Sequence, residues 1–542
     1  MPIFMKKSSR TSREAMRINL FFLKTFRFFE REKAFLFIFF ISFLLRVNSA
    51  INTFIINPDG TIYIHQARAI FFNNWEDLFH CGISFLSAFP LFIALVFPIF
   101  EDWVFSALVI SVAFSTATLL PVYKLLQLFF KSHVCLLGVL VLALNPVLVS
   151  RTADVLRGPV FWFFLSLAIY YFSLISIKSS CLNSFLCGLF FVLSAWARIE
   201  GLFFLLISFL FILLYPLGNR IKKAFFFVAP VLLIFVVGLI SIEGFAFRFY
   251  RFDDIFGKIY GPFESYDEIV AMMDFLENNQ SGEMEQNFLG YAGNLIWLLA
   301  FGVLLNRSLA AFFYLPFVLF VLGFFCFEKG DRGFGRLYRY FSFLFLGCFS
   351  LLYFHVLETW LVDDRFIMIL LFSAMPFIGA GIKTVLVFLR FKWGVKENLA
   401  FLFVFFVLMA FMLPKNLKER EKDKFVYREI AEFASSRAEF LDGVNVGTSP
   451  LSQRWISFYA NLHVEGSPCP QDPANILHEM PDTYPLFVRH VREAGIDFVL
   501  FEEKRWPFHF SLFESEEFEP LAQWYHDDTG KMILFEFKNP SA

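Results

Sequence analysis

Long apolar runs, broken by short polar interruptions, set the pattern of this chain. A membrane-crossing helix needs roughly 20 apolar residues, within a range of about 17–25. Runs of that kind fall at 34–55, 103–123, 134–150, 158–177, 181–197, 201–218, 224–242, 309–327, 340–357, 366–389 and 398–413. Two further apolar stretches, 85–100 and 288–306, are open to either an interfacial or a crossing role. After residue 414 the pattern changes to helix-like stretches at 425–440 and 486–494 and short strand-like runs at 444–448, 496–501 and 532–537. Alternation of that kind predicts a small α/β layer.

Lys and Arg near span ends set orientation. The arm before the first run is rich in them, and later polar breaks carry Lys124 and Lys131, then Lys178, then Arg220, Lys222 and Lys223, then Arg332, Arg336 and Arg339, then Arg390, Lys392 and Lys396. All lie on one side if 85–100 and 288–306 are outer-face, interfacial or half-buried helices. The expectation is therefore an α-helical polytopic membrane protein with about eleven crossings. A basic cytoplasmic arm spans 1–33. A transmembrane domain spans 34–414, with a first outer loop at 56–102 and a large acidic outer loop at 243–308. A soluble α/β domain, 415–542, lies on the outer (periplasmic) face. The stretch 415–424 is lysine-rich on that outer side, but Glu419, Glu421 and Asp423 nearly balance it.

Composition agrees with lipid as the solvent. Hydrophobic residues make up 58% and charged residues 18%, against about 25% charged in ordinary soluble domains, and the mean hydropathy is +0.62. A formal net charge of -1 provides no basic field for nucleic acid. The seven cysteines form no CxxC pair, so their spacing suggests neither a zinc knuckle nor a disulfide framework. Walker A, GxGxxG and GxSxG motifs are absent.

Charges inside a membrane are costly, and the runs are nearly free of them. Ionisable residues gather instead where runs meet the outer face. The first such place reads Asn57-Pro58-Asp59-Gly60, a turn signal, with Tyr63 just beyond. A carboxylate there can take a proton from an acceptor hydroxyl; the same residue would also serve as a plain cap at a helix start. Asn145-Pro146 leads to Arg151, Asp154 and Arg157, able to orient an acceptor and hold a phosphate or to act as a cap with interfacial arginines. Arg198 and Glu200 interrupt the next apolar stretch, either as a structural pair or with Arg198 meeting a phosphate. Asp363-Asp364-Arg365-Phe366 precedes a late run, where guanidinium donors would match phosphate oxygens two at a time. The adjacent aspartates could bind a divalent cation, a weak signal; no metal site is assigned. The 415–542 segment carries no recognisable catalytic motif.

Taken in order, these residues resemble the membrane-embedded GT-C glycosyltransferases, in particular the protein-mannosyltransferase and aminoarabinose-transferase-like (family 39-like) branch. The match lies in order and spacing over most of the chain: Asn57-Pro58-Asp59-Gly60 with Tyr63, an outer apolar stretch with Pro90, the basic loop from Tyr123-Lys124 to Lys131, Asn145-Pro146 leading to Asp154, Arg198-Ile199-Glu200-Gly201, then Asp364-Arg365-Phe366 with Pro376. Two departures mark a divergent branch: Phe366 stands where many members have Tyr, and the usual Pro-Pro of the first loop is reduced to Pro90.

The resemblance implies transfer of a sugar from a polyprenyl-phosphate donor to a lipid, glycan or protein acceptor, with inversion, at the outer face of a prokaryotic inner membrane. It casts Asp59 as general base and Asp154 as its catalytic support. Arg365, Arg198, Glu200, Arg157 and Tyr63 would form the substrate and phosphate site. Competing readings are an oligosaccharide ligase or polymerase of the same fold, a transporter or flippase, which would place polar groups in mid-span, and an envelope scaffold using 415–542 to recruit a partner.

Overall fold

The computed structural model describes residues 32–538, apart from positions 80, 84 and 179 and the segments 216–218, 241–251, 280–281, 327–331 and 438–442. The basic arm expected at 1–33 lies outside the described residues except for its last two. The side chains of 252–259, within the expected acidic loop, are likewise outside them.

Among the described residues six helices are long and apolar enough to cross a membrane: Lys33–Ile51, Trp103–Gln127, Gly158–Ile177, Gly335–Thr359, Asp364–Trp393 and Glu397–Asn416. Two bent pairs, Ser132–Leu144 with Pro146–Ala153 and Glu283–Asn294 with Ile296–Ala311, raise the number to eight if each is one span. The chain is an integral membrane protein by these helices; six to eight of them are full-length spans by length and composition among the described residues, and four shorter apolar helices, Ala88–Phe100, Cys181–Ala197, Glu200–Leu214 and Leu315–Cys326, stand beside the expected count of about eleven. The expected runs 181–197 and 201–218 form the shorter helices Cys181–Ala197 and Glu200–Leu214, separated by the Arg198-Ile199 break. The run expected at 309–327 is split: one helix ends at Ala311 and the next, Leu315–Cys326, starts after Phe313 and Tyr314, which take left-handed φ values of 63° and 56°.

Caps explain where several helices begin. Asn57 accepts from the Asp59 backbone N–H at 3.0 Å, and Pro58 takes the first helical position of Pro58–Phe71. The Pro-Asp-Gly run is thus a helix start rather than a separate turn. Asn145 caps Pro146–Ala153 and bends it 45° from the preceding helix, because Pro146 has no N–H to continue the ladder. Asp363 caps Asp364–Trp393, which ends at Gly394 with φ 66°. That helix is the axis of the bundle, buried without a break from Ile367 to Ile382 and largely exposed in its last turns.

Two charges sit inside apolar runs, Lys383 in 366–389 and Arg46 in 34–55. Arg46 is fully buried in Lys33–Ile51, where it donates to Ser115 Oγ at 2.7 Å and to the carbonyl of Ala143 at 3.2 Å. Ser115 in turn receives the Thr152 hydroxyl at 2.9 Å. A polar chain therefore runs beneath the 151–157 loop, satisfying a guanidinium that lipid could not.

The C-terminal segment folds as a four-stranded sheet in the order β1-β2-β4-β3, with β1 Val446–Gly447, β2 Phe498–Glu502, β3 Phe518–His526 and β4 Gly530–Phe537. β1 and β2 are parallel; β4 is antiparallel to both β2 and β3. The edge strand β3 was not anticipated, since Pro520 and its charged, exposed positions hide a strand pattern, and the register slips there. The helix Gln453–Ala460 was also missed. Its Trp455 indole donates to the carbonyl of Ile56 at 2.7 Å, and the Tyr459 hydroxyl receives the Ile56 N–H at 3.2 Å. Thr53 pairs with Arg420 in an isolated parallel bridge. The sheet unit is thereby seated directly on the start of the loop expected at 56–102.

Candidate active site

The site begins with the first turn of Pro58–Phe71. Gly60 lies under the 154–155 backbone: a Cβ there would sit 3.0 Å from the carbonyl oxygens of both Asp154 and Val155. The Asn57 N–H donates to the Asp154 carbonyl at 3.3 Å. Val155 holds a left-handed φ of 56°, costly for a β-branched residue. These contacts bring two loops about 95 residues apart in sequence into register.

Asp59 projects from that turn between two arginines of different origin. Its Oδ2 receives Arg365 Nη1 at 2.8 Å, and its Oδ1 receives Arg454 Nη1, also at 2.8 Å. Arg365 opens the axial helix; Arg454 belongs to the C-terminal helix Gln453–Ala460. Burial by itself pushes the Asp59 carboxyl up, but Arg365, Arg454 and Arg157 together outweigh it and hold the group below the usual aspartate range. Asp59 is therefore an anion at neutral pH.

A cavity of about 60 Å³ opens beside it, walled by Asp59, Tyr63, Arg157, Arg198, Arg365, Phe366 and Trp162 among others. A single water needs about 10–15 Å³, so the space suits a phosphate-sized group. Five of the seven residues expected from the sequence line this cavity. Arg157 lies over the rings of Phe85 and Tyr63, with its guanidinium carbon 4.8 and 5.9 Å from their centroids. Among the described residues no carboxylate pairs with Arg157. The Trp162 indole N–H, buried in the same wall, also has no acceptor. The cavity wall thus holds a cation in no ion pair among the described residues and two buried donors without a hydrogen-bond acceptor, Trp162 Nε1 and Arg365 Nε.

The other two expected residues stand behind the wall. Glu200 forms a two-point pair with Arg198, whose guanidinium carbon is 5.0 Å from the centre of the Phe366 ring. Asp154 receives Arg151 Nη1 at 2.9 Å and Arg420 Nη1 at 3.2 Å. Arg151 reaches on to Asp363 Oδ1 at 2.6 Å, and Asp363 Oδ2 lies 3.4 Å from Arg365 Nε. Asp154, Arg151, Asp363, Arg365 and Asp59 therefore form one alternating charge network. Asp363 and Asp364 gather no third ligand, and no group of three or more metal-ligating side chains occurs among the described residues. A second cavity of about 610 Å³ adjoins the first, sharing Arg151, Arg365 and Phe366 and lined further by Arg307, His355 and Trp360.

Sequence reading missed Arg454, Arg151's link to Asp363, and one covalent bond. Cys81 and Cys469 form a disulfide, with Cα atoms 5.6 Å apart and 388 positions apart in sequence. The spacing of the cysteines suggested no disulfide framework, and the structure holds this one long-range bridge among the described residues. Neither cysteine has a neighbouring partner in sequence, so spacing carried no signal. Arg454 was hidden for a similar reason: a lone arginine in a helix far from every candidate loop.

No protein-family profile and no curated protein matches the sequence. Solved structures do match the fold. The oligosaccharyltransferase AglB from Archaeoglobus fulgidus superposes with a TM-score of 0.54 at 11% identity, over 95% of this chain and 75% of that protein. A second structure of the A. fulgidus enzyme, tethered to an acceptor peptide, gives 0.56 at 10% identity, over 94% of this chain and 74% of that one. ArnT from Cupriavidus metallidurans gives 0.54 at 10% identity, over 94% of this chain and all of that protein. The chain has the fold of the GT-C membrane glycosyltransferases. At such low identity the likeness concerns the fold; the chemistry rests on the site.

Proposed function

We propose that this protein is a GT-C glycosyltransferase that moves a sugar from a polyprenyl-phosphate donor to an acceptor hydroxyl or amine, with Asp59 as general base. The observation that carries the reading is the small cavity in which an ionised Asp59 faces Arg157, a cation without a carboxylate partner. The fold neighbours support the donor class: ArnT from C. metallidurans has been seen with undecaprenyl phosphate, and AglB with dolichol-phosphate and an inhibitory peptide.

Donor phosphate enters the cavity and takes up Arg157, with the Trp162 indole as a further donor to its oxygens. Its charge also draws on Arg365, the partner shared between Asp59 and the phosphate site. As Arg365 turns to the phosphate, the Asp59 carboxylate loses one neutralising contact and gains basicity. Asp59 Oδ2 then accepts the acceptor proton, the acceptor oxygen or nitrogen bonds to the anomeric carbon, and the carbon–oxygen bond to phosphate breaks. The leaving electron pair remains on the phosphate, stabilised by arginines already in place. Attack from the face opposite the phosphate inverts the anomeric centre. Arg198, held by Glu200, and Phe366 shape the far wall. Asp154 acts through Arg151, fixing the loop from which Arg157 projects.

The Cys81–Cys469 disulfide supports a location for the first loop and the C-terminal domain on an oxidising, non-cytoplasmic face. An oligosaccharide donor is the alternative within the same fold, favoured by the adjoining cavity of about 610 Å³ and the equal likeness to AglB.

The test is sugar transfer by the purified protein in detergent, offered a panel of polyprenyl-phosphate sugars with membrane extract as acceptor. Transfer that disappears in Asp59→Asn while donor binding persists supports the reading. Absence of both transfer and donor binding by the wild type removes it.

A further inference from the structure

The C-terminal domain reaches the site through Arg454, and a sequence of contacts fixes that approach. In Gln453–Ala460 every residue is buried except Arg454, which is half-buried and turned to Asp59. Its Nε donates to Gln471 Oε1 at 2.7 Å while Nη1 holds Asp59. Gln471 is pressed against Gly82: a Cβ on Gly82, whose φ is +71°, would lie 2.8 Å from the same Oε1. Gly82 and Gln471 flank Cys81 and Cys469, so the disulfide closes the path from the first loop to Arg454.

The surrounding clasp is independent of the disulfide. Arg68 donates to the carbonyls of Gly466 at 2.7 Å and Asn461 at 3.1 Å. His65 sits between the carbonyls of Pro468 and Asp77, each at 3.1 Å. The 461–468 segment thus stays on the first loop with or without the sulfur bridge, whereas Gln471 and Arg454 depend on its last few residues.

We propose that Arg454 is a positioning residue for Asp59, and that the Cys81–Cys469 disulfide sets its reach, so that the C-terminal domain completes the catalytic centre. The proposal rests on the transfer reading above. Its logic is a division of labour. The side chains facing Asp59 are Arg365 from the axial helix, Arg454 from the C-terminal helix and Arg157 from the 154–158 loop. Arg365 and Arg157 are the two a donor phosphate can engage. Arg454, tied to Gln471, remains on Oδ1 and keeps Oδ2 aimed at the acceptor while Arg365 moves away. Loss of orientation of this kind lowers turnover more than binding.

The experiment compares full-length wild type, Arg454→Gln, Arg454→Lys and the double variant Cys81→Ser/Cys469→Ser. Two quantities are read: kcat and donor KM for sugar transfer, and the titration midpoint of Asp59, followed as the infrared carboxyl band that Asp59→Asn removes. In Arg454→Gln the midpoint is expected to rise by about 1 pH unit or more, with kcat down at least ~10-fold and donor KM little changed. Arg454→Lys recovers part of both, and the double cysteine variant moves both in the same direction by a smaller amount. An unchanged midpoint in Arg454→Gln overturns the proposal whatever the activity. A shifted midpoint with unchanged kcat overturns the positioning role. If the wild type itself transfers no sugar while the midpoint still shifts, the transfer reading fails and the Arg454–Asp59 coupling stands. If Arg454→Gln does not fold, the lysine and cysteine variants read the same two quantities.

Discussion

A Cβ on Gly60 would lie 3.0 Å from the carbonyl oxygen of Asp154, so the turn bearing Asp59 and the loop bearing Arg157 touch through a position where only hydrogen fits. The contact atoms are backbone, which cannot swing aside as a side chain tip would. Gly60→Ala is therefore expected to part the two loops by a few tenths of an ångström. The stability cost is about 1–3 kcal/mol, and sugar transfer falls by ~10–100-fold because the base and the phosphate site lose register. Melting and transfer rate, measured on the same preparation, check this; a variant with wild-type kcat would show that the two loops need not be in register.

Acid response follows from the sign of the Asp59 shift. Burial raises this carboxyl and the arginines lower it further, leaving the folded value below the ordinary one of about 3.9. A group depressed in the folded state contributes stability above its unfolded value and loses it as pH falls through the folded value. Wild type should exceed Asp59→Asn in stability by a constant amount above about pH 5, with the gap closing below about pH 4. Removing Arg365 takes away the main opposing charge, so Arg365→Gln should move the acidic limb of kcat/KM upward in pH. Chemical denaturation from pH 7 to 3 tests the first statement, and pH–rate profiles of wild type and Arg365→Gln test the second.

Arg157 is the cavity arginine that makes no direct ion pair among the described residues, though its charge acts on Asp59 and Glu200. A charged hydrogen bond contributes about 1.5–3 kcal/mol, which corresponds to roughly 10–100-fold in affinity. Arg157→Gln should weaken binding of polyprenyl phosphate by that factor with little change in melting temperature. Titration with undecaprenyl phosphate in detergent measures it directly, and undiminished affinity would move the phosphate site elsewhere.

Glu200 and Arg198 behave differently, because each is the other's partner in a poorly exposed setting, with side chains 17% and 5% accessible. Glu200→Gln leaves Arg198 uncompensated and should cost about 3–5 kcal/mol. The double replacement Arg198→Met/Glu200→Leu should recover most of that stability while lowering transfer, since the wall facing Phe366 changes. Thermal melts of the single and double variants separate the structural part of the pair from its part in the site.

Much of the site was legible as residue types at a boundary. Asp59, Tyr63, Arg157, Arg198 and Arg365 stand out because a charge or a polar ring at the end of an apolar run is conspicuous, and all five line one cavity. Span limits were less legible. The run 309–327 is apolar throughout, and nothing in its hydropathy marks the left-handed Phe313 and Tyr314 that break it. Arg46 was overlooked within a run because, besides Ser42 on its own helix, its partners Ser115 and the Ala143 carbonyl come from other helices.

What the sequence determined by itself is the solvent and the menu: lipid around long apolar helices, with acids and arginines, Arg46 apart, gathered at their ends. Those follow from local composition and from the cost of burying charge, both of which act residue by residue. Tertiary structure alone decided which charge meets which. The bonds from Asp59 to Arg365 and Arg454 span 306 and 395 positions, and the disulfide spans 388. At such separations no periodicity or spacing survives; only the packing of the C-terminal sheet unit onto the first loop brings Arg454 to the carboxylate and turns a set of boundary residues into a site.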